Sequence, residues 1–348
     1  MEIFNKIEQY IPDFEKKLNE VNSTTISSNL YCQKYLAHLL LYKRYYLHIY
    51  ASVLEHALKN TDQAKEEIIL IDYGAGNGLL GLFAKFCGFK RVFINDHNKV
   101  FCEAVERLSI AIDVSPDNII VGDIDAVVQF FLTEEQPTAI VGTDVIEHIY
   151  DLSYFFRIIN KINSSIISVF TTASNPFNKY KVHQLKQLQY KDEYIGNSPE
   201  ADPLFGEARM EAFIKIREDI IRKNFTAFEA DEITKLAIVT RGLIKKDIIA
   251  AVQKYLNDKS LPALHISGNN TCDPYTGSWT ERILSYKEYQ QIYLNGGYQL
   301  SLYNGFYNEY TAGVKGALLK IANAGVSLIG KSVAPFIGLV GTPLNNKS

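Results

Sequence analysis

The sequence predicts an α/β protein built on a doubly wound, largely parallel sheet, with a helical arm before it and a largely helical insert within it. Three observations lead there. Between Ile68 and Thr171, short apolar runs of strand length alternate with helical patterns. The first of these runs meets a glycine-rich turn, Gly74-Ala75-Gly76-Asn77-Gly78, where a helix begins. After a stretch of different texture, 177–280, strand and helix patterns return and continue to the C-terminal region.

Residues 1–60 read as a helical N-terminal arm, and Tyr35–Leu58 is dense in Leu, Tyr and His. Its tyrosines, Tyr35, Tyr42, Tyr45, Tyr46 and Tyr50, suit core packing, with closure of a pocket or pairing of subunits as alternatives. The first strand is Ile68–Tyr73, followed by a helix through Phe86. Arg91–Asn95, Asn118–Val121, Thr138–Thr143 and Ser165–Thr171 read as the next four strands, separated by helices at Lys99–Ile112, Asp125–Leu132 and Leu152–Ile162. Strands this apolar are covered on both faces, and right-handed crossovers then favour a doubly wound sheet.

The alternation stops at Asn175-Pro176. Helical patterns at about 206–225 and 230–258, and a loop at Gly268–Gly277, mark an inserted cap. The sheet pattern then resumes. Ser285-Tyr286-Lys287-Glu288 reads as a capping box, Gly296-Gly297 ends that helix, Tyr298–Tyr303 is a strand, and a helix at about 314–330 leads to a last strand, Phe336–Val340. The chain therefore divides into the arm 1–60, a first core part 61–176, the cap 177–280 and a closing core part 281–348.

Open parallel sheets bind ligands beyond the carboxyl ends of their strands, so the first strand-to-helix turn is the place to look. Gly76-Asn77-Gly78-Leu79-Leu80-Gly81 formally matches the dinucleotide pattern Gly-x-Gly-x-x-Gly. Its register is wrong, because the strand ends near Tyr73 and these glycines start too late. The frame that fits runs from Asp72 through Gly74 and Gly76 to Gly78.

In that frame, Ile71-Asp72-Tyr73-Gly74-Ala75-Gly76-Asn77-Gly78 resembles the first motif of class I S-adenosylmethionine-dependent methyltransferases. Asp96 after the second strand, Asp123 after the third and Asp144-Val145-Ile146-Glu147-His148 after the fourth fall where that family places its further motifs. The resemblance covers about 65–175 and, more loosely, 284–342. It implies a Rossmann-like sheet of seven strands with an antiparallel terminal strand. It also implies S-adenosylmethionine as cofactor, held by Asp72, Gly74, Ala75, Gly76, Asn77, Asp96 with His97, Asp123 with Ile124, and Asp144. Asp125 stands close enough in sequence to exchange roles with Asp123.

The segment Asp144 to His148 concentrates ionisable chemistry, and histidine is the side chain that ordinarily titrates nearest neutrality. His148 is thus a candidate base, oriented by Glu147 or Asp144. The segment also resembles the Glu-x-x-Glu-His stretch of small-RNA 2′-O-methyltransferases, which with a later histidine holds a divalent metal. Its Val-Ile-Glu-His texture is similar to that of ubiquinone-biosynthesis O-methyltransferases. Here the first carboxylate is Asp144, and the later histidine is His183 or His265. Metal ligation by Asp144, Glu147, His148 and His265, base or substrate contact, and a structural role in the loop all stay open. Within the insert, His265, Tyr275 and Trp279 are the candidate substrate contacts, alongside Asn269, Asn270 and Asp273.

Composition narrows the function further. Lys plus Arg total 36 against 39 for Asp plus Glu, a net charge of −3 that disfavours nucleic acid as the partner. Cys32, Cys87, Cys102 and Cys272 are too scattered for a zinc pair or a disulfide framework. No segment has the uninterrupted apolar length of a membrane span, and a cytoplasmic location is expected. Gly313–Gly330, with Lys315 and Lys320, reads first as a helix between the last two strands and second as a membrane-surface helix. The leading reading is methyl transfer from S-adenosylmethionine to a small-molecule acceptor, at oxygen. The alternatives are a metal-assisted 2′-O-methyltransferase on RNA ends, an NAD-dependent dehydrogenase and a non-catalytic module of the same fold.

Overall fold

A computed structural model describes residues 7–196, 211–260 and 269–344. It forms two compact units: Met1–Ile146 with Asp151–Asn178 and Tyr286–Ser348, and Glu147–Tyr150 with Lys179–Ser285.

The first unit opens with the arm helices α1 (Ile11–Leu18), α2 (Ser23–Ile26), α3 (Leu30–Leu41) and α4 (Lys43–Thr61). The sheet part follows as β1 (Ile69–Tyr73), α5 (Leu79–Phe86), β2 (Arg91–Asp96), α6 (Lys99–Ala111), β3 (Asn118–Val121), α7 (Ile124–Phe131), β4 (Ala139–Thr143), α8 (Leu152–Ile162) and β5 (Ile167–Thr172). All residues of β1 and β5 are buried, as a sheet covered on both faces requires.

The second unit carries α9 (Lys179–Tyr194), α10 (Phe213–Asn224), α11 (Ala230–Val239) and α12 (Lys245–Asp258). The first unit closes with α13 (Tyr286–Asn295), β6 (Tyr298–Asn304), α14 (Gly313–Ile329) and β7 (Ile337–Pro343). Its sheet order is β3-β2-β1-β4-β5-β7-β6, with β1 to β5 parallel and β7 antiparallel to both neighbours. This is the Rossmann-like seven-stranded sheet of the class I methyltransferase fold.

The arm is continuous with the core of this unit. Phe14 packs on Phe83 and Phe86 of α5 with ring centroids 5.2 Å apart in both pairs. Ile7, Leu36, Val53, Leu54 and Ala57 join Leu70, Phe83, Ile94 and Val141 in one apolar cluster.

In the second unit the sequence pattern over 230–258 is not one helix. It breaks at Thr240–Ile244, where Gly242 adopts φ +77°, and α11 and α12 fold back separately onto α10 through Ile221, Leu236, Ile248 and Val252. A buried ion pair ties α9 to α10: the Arg217 guanidinium forks onto both oxygens of Glu193, with Nη1 to Oε2 at 3.2 Å, and its Nε donates to the Ala237 carbonyl at 2.8 Å. Thr271 Oγ1 donates to Glu193 Oε2 at 2.7 Å. Removing one partner strands a buried charge, which costs about 3–5 kcal/mol. Glu193→Gln is therefore expected to lower the unfolding midpoint of this unit. The sole tryptophan, Trp279, reports it by fluorescence, and an unchanged midpoint would show that Arg217 is satisfied without the carboxylate.

Candidate functional site

Strand order reverses between β1 and β4, and the glycine turn lies at the carboxyl end of β1, beside that switch point. Gly74, Gly76 and Gly78 take φ values of +64°, +54° and +72°, which glycine adopts without strain. A Cβ on Gly74 would lie 2.2 Å from Val145 Cγ2, so the turn presses against the segment following β4. Gly78 caps α5 with no side-chain partner.

Two carboxylates hold this turn from the strand ends. Asp96 Oδ2 accepts from the Gly76 amide and Oδ1 from the Asn98 amide, both at 2.8 Å. Asp72 Oδ2 accepts from the Gly81 amide at 2.7 Å, in the first turn of α5. A Cβ on Gly81 would lie 2.6 Å from Ile94 Cγ1, so this glycine answers to helix-on-strand packing. The dinucleotide-like string thus ends on a packing residue. Burial pushes the Asp72 carboxyl up from 3.8 to about 7; the Gly81 hydrogen bond opposes that rise and the negative charge of Asp96 adds to it.

The arm reaches the same turn. Cys32 Sγ donates to Asn77 Oδ1 at 3.1 Å, while the buried Asn77 Nδ2 finds no acceptor among the described residues. The Tyr35 ring stands 3.0 Å from the place a Cβ would take on Gly76, and Tyr31 and Tyr35 both meet the Phe101 ring edge-on. Asp144 sits at φ +50° with its amide donated to the Thr171 carbonyl at 3.1 Å. Burial first, and the Asp144 charge second, push the Tyr46 hydroxyl up to about 12 and raise Tyr35 and Tyr45 as well. These tyrosines are therefore neutral hydroxyls beside a carboxylate. Tyr46 Oη pairs with His38 Nε2 at 3.1 Å, and Tyr45 Oη donates to the Phe306 carbonyl at 3.0 Å. The sequence left these tyrosines between core packing, closure of a pocket and pairing of subunits; nothing in its pattern signalled Cys32.

Asp123 caps α7, accepting from the Asp125 amide at 3.1 Å, and it is exposed while Ile124 beside it is buried. Asp125 accepts from the Tyr154 hydroxyl, so the two acids have different partners. Exposed His97 stands beside Asp96, with Nδ1 3.5 Å from Oδ1. Ala75 donates its amide to the Asn95 carbonyl at 2.9 Å, completing the turn.

Within the second unit, His148 Nδ1 lies 2.7 Å from the Trp279 carbonyl oxygen. A carbonyl only accepts, so Nδ1 carries the hydrogen; Nε2, a lone-pair site in the neutral ring, lies 4.0 Å from Glu281 Oε1. Trp279 is buried, and its indole N–H donates to the Tyr150 carbonyl at 3.1 Å, which fixes the carbonyl that orients His148. Glu147 is buried, with its carbonyl accepting from the Arg282 amide at 3.2 Å. Asn270 is buried and bonded to Gln189 and Ile283, whereas Tyr275 is exposed and Asp273 caps its turn. His183 lies on α9 with Gln187 at 3.1 Å, and His265 falls outside the described residues. Among the described residues, no three His, Cys, Asp or Glu side chains come together as a metal site.

No protein-family model matches this chain, and no curated protein does. Among solved structures it is similar to a MtNAS variant in complex with S-adenosylmethionine, at 14% identity and a TM-score of 0.33 over 47% of this chain and 56% of that one. An S-adenosylmethionine-dependent methyltransferase from Clostridium acetobutylicum matches at 14% identity and a TM-score of 0.29, over 42% of this chain and 53% of that one. One from Archaeoglobus fulgidus matches at 8% identity and a TM-score of 0.41, over 88% of this chain and 99% of that one. The chain thus spans about half the length of the first two and nearly all of the third.

A carboxyl whose pKa is raised by folding contributes stability below its unfolded pKa and loses it as pH rises through the folded value. Asp72 therefore makes the first unit less stable between pH about 4 and about 7. Asp72→Asn is expected to flatten that decline in urea titrations followed by circular dichroism, and an unaltered slope would place the titration elsewhere.

Proposed function

We propose that this protein is an S-adenosylmethionine-dependent methyltransferase acting on a small-molecule acceptor, at oxygen. The observation that carries the reading is the glycine turn beside the switch point, with Asp96 seated behind it at the end of β2. The residues suit that cofactor. Asp96 has acceptor capacity beyond its two amides and matches a pair of ribose hydroxyls. Asn77 Nδ2 is a buried donor awaiting an acceptor. Asp144 with the Tyr35, Tyr45 and Tyr46 hydroxyls matches an amino-acid end bearing both an ammonium and a carboxylate.

S-adenosylmethionine supplies an electrophilic methyl on a sulfonium, so the protein's task is alignment, worth about 7–11 kcal/mol where the geometry is right. His148 then needs only to receive the acceptor's hydroxyl proton at Nε2. Its Nδ1 keeps its hydrogen, donated to the Trp279 carbonyl, and Glu281 steadies the imidazolium that forms. Choice of acceptor falls to the second unit, Glu147–Tyr150 with Lys179–Ser285.

Calorimetry with S-adenosylmethionine, S-adenosylhomocysteine and NAD tests the cofactor. Both sulfur compounds are expected to bind, and Asp96→Ala to weaken them about 10–100-fold, the equivalent of lost hydrogen bonds to a charged group. Tight NAD binding with no response to either sulfur compound would overturn the reading. In methyl-transfer assays over hydroxylated small molecules, His148→Gln is expected to slow turnover about 100-fold or more with cofactor affinity unchanged. Equal rates would remove His148 as the base.

A further inference from the structure

Helix α14 is docked by one narrow face. Of its 17 residues only Gly316 and Val326 are fully buried. On the same side, Asn323 exchanges hydrogen bonds with both backbone groups of Tyr307, at 2.7 and 3.1 Å, and donates to Glu309 Oε2 at 2.9 Å. Asn323 thereby fixes the rotation of the helix about its axis.

The opposite face is apolar and open. Val314, Leu318, Ile321, Leu328 and Ile329 are between 60% and 87% exposed. At about 100° per residue they fall within one arc of about 100°, with Gly325 inside it. Lys315 borders the arc on one side and Lys320 on the other. No acidic residue occurs from Ala312 to Ser348, whereas Lys315, Lys320, Lys331 and Lys347 do. No helix of the described chain is long and apolar enough to cross a membrane.

We propose that α14 lies in the surface of an anionic lipid bilayer, its apolar arc among the acyl chains and Lys315 and Lys320 reaching out to the headgroups. The charge pattern selects this occupant. An outward apolar stripe flanked by cations complements anionic headgroups, and long lysine stems let the charge rise to them. Two copies packed stripe to stripe would bring lysines together with no acidic residue on the helix to pair them.

Co-sedimentation of the full chain with phosphatidylcholine vesicles, with and without phosphatidylserine, tests this. Binding is expected with phosphatidylserine and to fall as salt is raised. Leu318→Gln with Ile321→Gln and Leu328→Gln, all at exposed positions, is expected to reduce it about tenfold or more. Lys315→Glu with Lys320→Glu is expected to abolish the preference for phosphatidylserine. Circular dichroism checks that each variant is folded. The proposal is overturned by absent binding to anionic vesicles, by binding that the glutamine variant retains, or by a lipid-independent dimer that the glutamine variant dissociates.

Discussion

The site depends on one constraint: two carboxylates at the ends of adjacent parallel strands must both be satisfied by backbone amides, one from the glycine turn and one from the first turn of the helix that follows it. Parallel register sets Asp72 opposite Ile94, so Asp96 projects beyond it into the turn that follows β1. Removing carboxylates from water is costly unless donors replace it, and the donors here are Gly76 and Gly81. The turn must therefore double back within a few residues, through three left-handed glycines, to present the Gly76 amide to Asp96 and start α5 where Gly81 reaches Asp72. Gly81 follows from the same demand, since its amide meets Asp72 only if α5 runs close over Ile94.

That arrangement draws in the arm. With the turn committed on its inner side to Asp96 and Asp72, Asn77 faces α3, where Cys32 satisfies its oxygen. The ring of Tyr35 covers Gly76 closely, and a Cβ at that position would meet it at 3.0 Å. The arm shares one apolar cluster with β1 and α5, so the wall over the turn is as firmly held as the turn itself. Loss of helix packing in the arm would thus disturb the glycine turn directly.

The sheet was legible because its strands are buried and apolar and its punctuation is strong: Gly74 to Gly78, Asn175-Pro176 and Gly296-Gly297 all mark real boundaries. Much of the second unit was not. Helix α9 shows almost no apolar periodicity because its buried positions include Gln189, Asp192 and Glu193, which face Asn270, Thr280 and Arg217. A helix whose interior contacts are hydrogen bonds and an ion pair leaves no hydrophobic stripe to read. The break at Gly242 was hidden for the opposite reason, since Ile, Leu and Val continue on both sides of it. At the site, the acids after each strand could be placed by spacing, but their partners could not. The Cys32 to Asn77 bond joins residues 45 apart, and the carbonyl that sets the His148 tautomer belongs to Trp279, 131 residues away.

The near-neutral total charge excludes less than it first suggests, because charge is segregated within the first unit. Asp72, Asp96, Asp123, Asp125 and Asp144 all gather where β1 to β4 end, while the chain from Ala312 onward carries lysines and no acid. The Asp72 carboxyl on that edge is raised chiefly by burial, with the Gly81 hydrogen bond opposing the rise and the charge of Asp96 adding to it. A nearby positive charge would favour the ionised form of this acid, and a further negative charge would oppose it. The same segregation leaves a basic, apolar helix at α14 with no acidic residue on it to pair with. One chain of net charge −3 therefore holds, in one unit, an acidic edge where the first four strands end and a helix that carries lysines and no acid.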